Sequence, residues 1–147
     1  PAIPIWQPEL PDPQMLINMT TEVLWHPSGV MTLNGTMIGV GMDSGDGIQT
    51  WNAHIMTPET TTTTHYFYCN SRNYKIDDAS YNDVLAKGLA AAFGEEDKPM
   101  IEAQQLRIGN ADLLDCMPTL MSIDNASSRA RKMYRQMVET EGNVLPK

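Results

Sequence analysis

The sequence predicts an α+β fold, a curved antiparallel sheet with long C-terminal helices, and three observations carry that prediction. Runs rich in Thr, Val, Ile and aromatic residues, which favour pleated half-buried surfaces, fill the first half of the chain. The texture changes at Asp77, after which apolar residues recur at helical spacing. Strands grouped first and helices last place the helices on one side of an antiparallel sheet, instead of alternating them with parallel strands. At 147 residues the chain is one domain's worth of sequence, enough to bury a core.

The elements follow in order. The chain opens Pro1-Ala2-Ile3-Pro4-Ile5 without an initiator methionine, and five prolines fall in its first 13 residues. This lead reads as an extended connector entering a domain already under way. Thr20 to His26 alternates as a strand, and Val30–Leu33 and Thr36–Val40 read as two short apolar runs flanked by glycine. Asp43-Ser44-Gly45-Asp46-Gly47 is a turn signal. Ile48–Met56 and Thr61–Cys69 then form a long pair bridged by Thr57 to Thr60, giving four or five antiparallel strands in a meander. Ser80 or Asp78 can cap a helix running to about Phe93, with Leu85, Leu89 and Phe93 on one face, and Gly94 interrupts it. A second helix spans about Asp97 to Ile108, with Pro99 in its first turn. The last helix starts at Asp124 as N-cap and ends at Gly142.

Charge narrows the partners. Ten Lys and Arg against eighteen Asp and Glu give a net charge of −8, which argues against nucleic acid and anionic membrane surfaces, both of which select basic patches. No apolar run approaches the roughly 20 residues that cross a bilayer. The one positive cluster, Arg129, Arg131, Lys132 and Arg135, reads as a solvated helix face. Cys69 and Cys116 follow nothing that resembles a secretory signal, so both thiols are expected to be reduced and buried, in a cytoplasmic protein. They also lack the paired Cys and His motifs of a Rieske centre, so this chain does not bind that cluster.

Few residues offer chemistry, and no general acid, base or nucleophile stands out as catalytic. Asp97 lies at the start of a helix in Glu95-Glu96-Asp97-Lys98-Pro99, where it can aim a carboxylate at a metal or serve as an ordinary N-cap. Asn52, His54 and Met56 share one strand face, opposite Trp51, Ala53 and Ile55. Facing a cavity, they would offer two hydrogen-bonding groups and one soft apolar group, which suits an aromatic acid or a phenol ether. His54 reads equally as a satisfied interior histidine. His65 shares a face with Phe67 and Cys69 and reads as core, and His26 closes a strand before Pro27. A strand-borne metal site from the three histidines would require them to converge.

Several segments are collinear with a known family. They are His54-Ile55-Met56-Thr57-Pro58-Glu59-Thr60, Thr64-His65-Tyr66-Phe67, Gly94 through Gln105, and Ser122-Ile123-Asp124 opening the last helix. In order and spacing they resemble the catalytic half of Rieske-type non-haem iron oxygenases of the vanillate O-demethylase and dicamba monooxygenase branch. The resemblance implies a helix-grip (START-like) catalytic fold, with Asp97 as the single carboxylate ligand of a mononuclear Fe(II). It also implies His54 as a substrate contact, with Asn52 beside it. It implies a larger oxygenase component that is a homotrimer, takes electrons from an NADH-dependent reductase through a [2Fe–2S] Rieske cluster, and hydroxylates or O-demethylates a substituted aromatic acid. The Rieske domain and the helix bearing the two histidine ligands have no counterpart here. Residues 1–147 are therefore expected to be a C-terminal portion of the catalytic domain, inactive alone. A pocket tryptophan that precedes the aspartate by nine residues in dicamba-type enzymes is replaced here by Gly88. The other class compatible with these residues is a stand-alone helix-grip protein that binds an apolar or aromatic ligand without catalysis.

Overall fold

The computed structural model describes residues 6–27 and 29–144. The chain divides into two compact units, residues 1–97 and 98–147. The first unit is a four-stranded meander, β1 (Ile17–His26), β2 (Val30–Gly39), β3 (Ile48–Pro58) and β4 (Thr64–Arg72), ordered β1-β2-β3-β4 with every pair antiparallel. The helix α1 (Ala79–Ala91) and a π-helical turn (Ala92–Asp97) complete it. The second unit holds α2 (Lys98–Ile108) and α3 (Asn125–Val144).

Strand register explains several departures from the sequence reading. The two apolar runs expected on either side of Asn34 are one strand, because Asn34 and Gly35 keep the ladder register, paired with Glu22 and Thr21 on β1 and with Trp51 and Thr50 on β3. The threonine run is not the start of β4. Thr60 accepts hydrogen bonds on Oγ1 from the amides of Thr62 (3.2 Å) and Thr63 (3.0 Å), so the hydroxyl builds the hairpin turn and delays β4 to Thr64. The proline-rich lead lies partly outside the described residues. Within them it is not extended, since Gln7–Glu9 form a 3-10 turn that carries Leu10 into the core with Met37 and Ile48.

Asp78, not Ser80, caps α1, accepting from the Tyr81 amide at 3.0 Å while Ser80 donates to the same carboxylate oxygen. Gly94 does not break the helix that follows. The chain widens to π-helical turns over Ala92–Asp97 and runs directly into α2. Pro99 supplies the reason: inside a continuing helix it withholds one amide and crowds the carbonyl four residues back, and a wider turn relieves that crowding. Asp97 is consequently not an N-cap.

In the second unit Asp124 occupies the N-cap position of α3. Its backbone carbonyl accepts from Ser128, but its carboxylate turns back to the Met121 amide at 2.8 Å. Gly142 does not end the helix, which continues to Val144. The basic cluster is only partly a solvated face. Arg131 donates to the carbonyls of Leu113 (2.7 Å) and Cys116 (2.9 Å), and Arg135 donates to the carbonyl of Leu114 and pairs with Asp115 at 3.5 Å. The expectation of two buried thiols also fails: Cys69 is exposed on the outer face of edge strand β4, and Cys116 is half-buried.

Candidate functional site

The site is assembled on one face of β3 and β4. Alternation places Thr50, Asn52, His54 and Met56 on that face, and the β3–β4 register sets Arg72, Asn70, Tyr68 and Tyr66 opposite them. His54 is directly opposite Tyr68 and diagonal to Tyr66, within reach of an aromatic side chain. His54 is 8% exposed. Nδ1 lies 2.5 Å from the Tyr66 hydroxyl, and the two rings are nearly parallel, 11° apart with centroids at 5.9 Å. Burial of a neutral imidazole is tolerable when a ring nitrogen is paired in this way.

Phe93, from the π turn, closes over this group. It packs against Tyr68 with centroids 4.6 Å apart and presents its edge to His54 (5.6 Å) and Tyr66 (5.8 Å), the geometry aromatic quadrupoles prefer. Asp97 is four residues further on, a spacing that keeps it near the side of the helix that Phe93 occupies. The Tyr66 phenol is held above its ordinary pKa, first by burial, then by the negative charge of Asp97, then by Tyr68. The carboxylate of Asp97 is exposed at the rim of this aromatic group.

Two amides extend the polar line along the sheet. Asn70 donates to Asn52 Oδ1 at 2.6 Å, and Asn52 donates to the Leu33 carbonyl at 3.1 Å. Asn52 is thus largely committed to the sheet, while Asn70 keeps its own carbonyl oxygen. A cleft of about 290 Å³ continues between β4 and α1, lined by Tyr68, Asn70, Arg72, Asn82, Leu85 and Leu89 among others. Arg72 is fixed there by the carbonyls of Tyr74 and Lys75 and by Asn82 Oδ1.

The sequence-predicted residues therefore separate. His54 and Asn52 share this sheet face and Asp97 lies within charge reach of Tyr66, while none of the three lines the cleft between β4 and α1. His26 and His65 lie on the opposite face of the sheet, and His65 is no core residue: it is exposed and 3.6 Å from Glu59. The three histidines do not converge. Tyr66, Tyr68, Asn70 and Phe93 escaped the sequence reading, because their membership depends on the β3–β4 register. The spacing of Phe93 and Asp97 was the one local signal that could have linked two of them. Among the described residues no three His, Cys, Asp or Glu side chains are arranged to hold a metal ion. Asp97 offers a single oxygen ligand, short of the two-histidine, one-carboxylate face that binds Fe(II), and no reaction step can be drawn through a metal from these residues alone.

An aromatic group on the face of an antiparallel sheet, packed under the turn that follows α1 with a carboxylate nearby and a cleft beside it, is the candidate site of this α+β domain. Comparison with known proteins gives the family: residues 1–140 match the model of the vanillate O-demethylase oxygenase C-terminal domain, and the chain belongs to that family. It is 32% identical over 118 residues to the oxygenase component of chloroacetanilide N-alkylformylase from Rhizorhabdus wittichii, covering 80% of this chain and 34% of that protein. It is 28% identical over 125 residues to the oxygenase component of dicamba O-demethylase from Stenotrophomonas maltophilia, covering 85% and 37%. Against a crystal structure of dicamba monooxygenase bound to 3,6-dichlorosalicylic acid, the TM-score is 0.76 at 28% identity, covering 86% of this chain and 37% of that one. The chain thus spans little more than a third of the length of the curated relatives it matches.

Proposed function

We propose that this chain is the C-terminal portion of the catalytic domain of a Rieske-type aromatic monooxygenase, in its oxygenase component. The reading is supported by one juxtaposition: Asp97 follows Phe93 by four residues and lies within charge reach of Tyr66, beside the aromatic group of His54, Tyr66 and Phe93. Relatives are named as oxygenase components, and one solved structure of dicamba monooxygenase contains non-haem iron together with dicamba. In this proposal Asp97 is the carboxylate ligand of a mononuclear Fe(II), whose two histidine ligands and [2Fe–2S] partner lie in upstream parts of the parent polypeptide. The iron, when bound, activates dioxygen.

The residues of this chain bind and orient the substrate. His54, with the Asn52–Asn70 pair as a weaker neighbour, contacts its polar group, and Phe93, Tyr68 and Met56 exclude water around its ring. A substituted aromatic acid suits the pocket, and the chemistry is hydroxylation or O-demethylation. The parent would be a cytoplasmic homotrimer fed by an NADH-dependent reductase. No helix among the described residues is long and apolar enough to cross a membrane.

The test is Asp97→Ala in the full-length oxygenase component. Mononuclear iron is expected to fall by most of its wild-type stoichiometry, with the visible absorbance of the Rieske cluster retained. Unchanged mononuclear iron would remove Asp97 from the ligand set, and a wild-type parent that holds no mononuclear iron would leave a binding module as the better account.

A further inference from the structure

The contact between Tyr66 and His54 is the shortest hydrogen bond of the pocket, and neither the substrate role of His54 nor the metal role of Asp97 uses it. A phenol carries one proton. The Tyr66 hydroxyl meets His54 Nδ1 at 2.5 Å, while its interaction with Asp97 is one of charge and no hydrogen bond between those two accompanies it among the described residues. Among the described residues Nδ1 is the hydrogen-bond partner the phenol has, and a neutral imidazole that accepts the phenolic proton at Nδ1 carries its own proton on Nε2. The Tyr66 and His54 rings lie side by side in nearly one plane, joined through that hydrogen bond, and the edge contact of Phe93 resists rotation of the imidazole, so Nδ1 and Nε2 are not free to exchange places.

We infer that Tyr66 is a positioning residue that locks His54 in the Nε2–H tautomer, so that the pocket selects ligands presenting a hydrogen-bond acceptor, such as a carboxylate or sulfonate oxygen, and disfavours those presenting a donor there. The inference rests on the reading of His54 as a substrate contact and adds the polarity of that contact. A site whose buried histidine offers a fixed N–H leaves that donor unpaired when the ligand group opposite is itself a donor, and an unpaired buried donor is the costly outcome.

The chain contains three histidines, which makes ¹⁵N-histidine NMR a direct test. The His54 resonances are assigned by loss in His54→Gln. Wild type is expected to show a single Nε2–H tautomer for His54, and Tyr66→Phe, which keeps the ring, is expected to shift both nitrogens toward the exchange average. A wild-type His54 protonated on Nδ1 overturns the inference without any variant, and so does a tautomer unmoved by Tyr66→Phe. Titration with benzoate then separates the two readings. Binding that shifts His54 Nε2 and weakens roughly tenfold in Tyr66→Phe supports the donor role. A locked tautomer that benzoate leaves unmoved overturns the substrate-contact reading, and with it the donor role.

Discussion

Gly29 shows how one backbone position fixes the sheet on which the pocket stands. Its φ of +91° is open to glycine and strained for other residues, and a Cβ there would lie 2.3 Å from the Met56 carbonyl oxygen. Its own carbonyl accepts from the Met56 amide at 2.7 Å, tying the β1–β2 hairpin to the strand that carries His54. Gly29→Ala is expected to destabilise the chain by more than ~1 kcal/mol, read as a lower urea midpoint. Gly88 is the opposite case. It lies inside α1 at ordinary helical φ, a Cβ would meet nothing within 4 Å, and Gly88→Ala should stabilise by about 0.5–1 kcal/mol, read as a higher Tm. At this scale the sequence made His54, Asn52 and Asp97 legible as polar groups on plausible faces. It could not rank Asn52 against Asn70, because only the pairing of β3 with β4 shows that Asn52 spends its oxygen on its neighbour.

Elements are held by side chains whose chemistry was visible but whose targets were not. Helical spacing marked Arg131 and Arg135 as one face of α3. It could not show that the carbonyls of residues 113–116, which have no strand or helix partner, would recruit that face. Arg131→Met is expected to free the segment at a cost of roughly 1 kcal/mol, seen as faster amide exchange at residues 113–116 with α3 still helical. The cap of α1 is pH-sensitive. Hydrogen bonds from the Ser80 hydroxyl and the Tyr81 amide lower the Asp78 pKa. A carboxylate lowered in the folded state stabilises above its unfolded pKa and loses that contribution as pH falls through its folded value. Asp78→Ala should therefore lower the Tm at neutral pH and leave less difference from wild type in acid. The π turn was the element least legible in the sequence. Gly94 and Pro99 both signal a break, whereas a continuous wider helix relieves the crowding at the proline while Phe93 packs on Tyr68.

In the first unit as a whole, two tyrosines, Tyr74 and Tyr66, make alkaline pH a stress on the fold. Tyr74 joins the N-terminal turn to α1, accepting from Trp6 Nε1 at 3.0 Å and packing edge-on against Tyr81. Its phenol is pushed far above its usual pKa, first by burial and next by the Tyr81 hydroxyl, with Trp6 and Arg72 opposing, and Tyr66 is raised as well. Both groups are neutral below their pKa. In the unfolded chain they ionise near pH ~10, while the folded chain holds them protonated. Stability is thus complete below about pH 10 and declines as pH rises through that value toward the folded pKa, because ionisation favours the unfolded state alone. The fully buried hydrophobic core of the described residues is small, Leu10, Met37 and Ile48 with flanking Trp6, Met15, Ile17 and Tyr74, so the loss falls on its margin. Urea midpoints are expected to drop steeply between about pH 9 and about pH 11 in wild type. Tyr74→Phe should start lower, having lost the Trp6 hydrogen bond, and drop less over the same range. A parallel decline in the two proteins would show that Tyr74 is not the group that links alkaline pH to opening of the core.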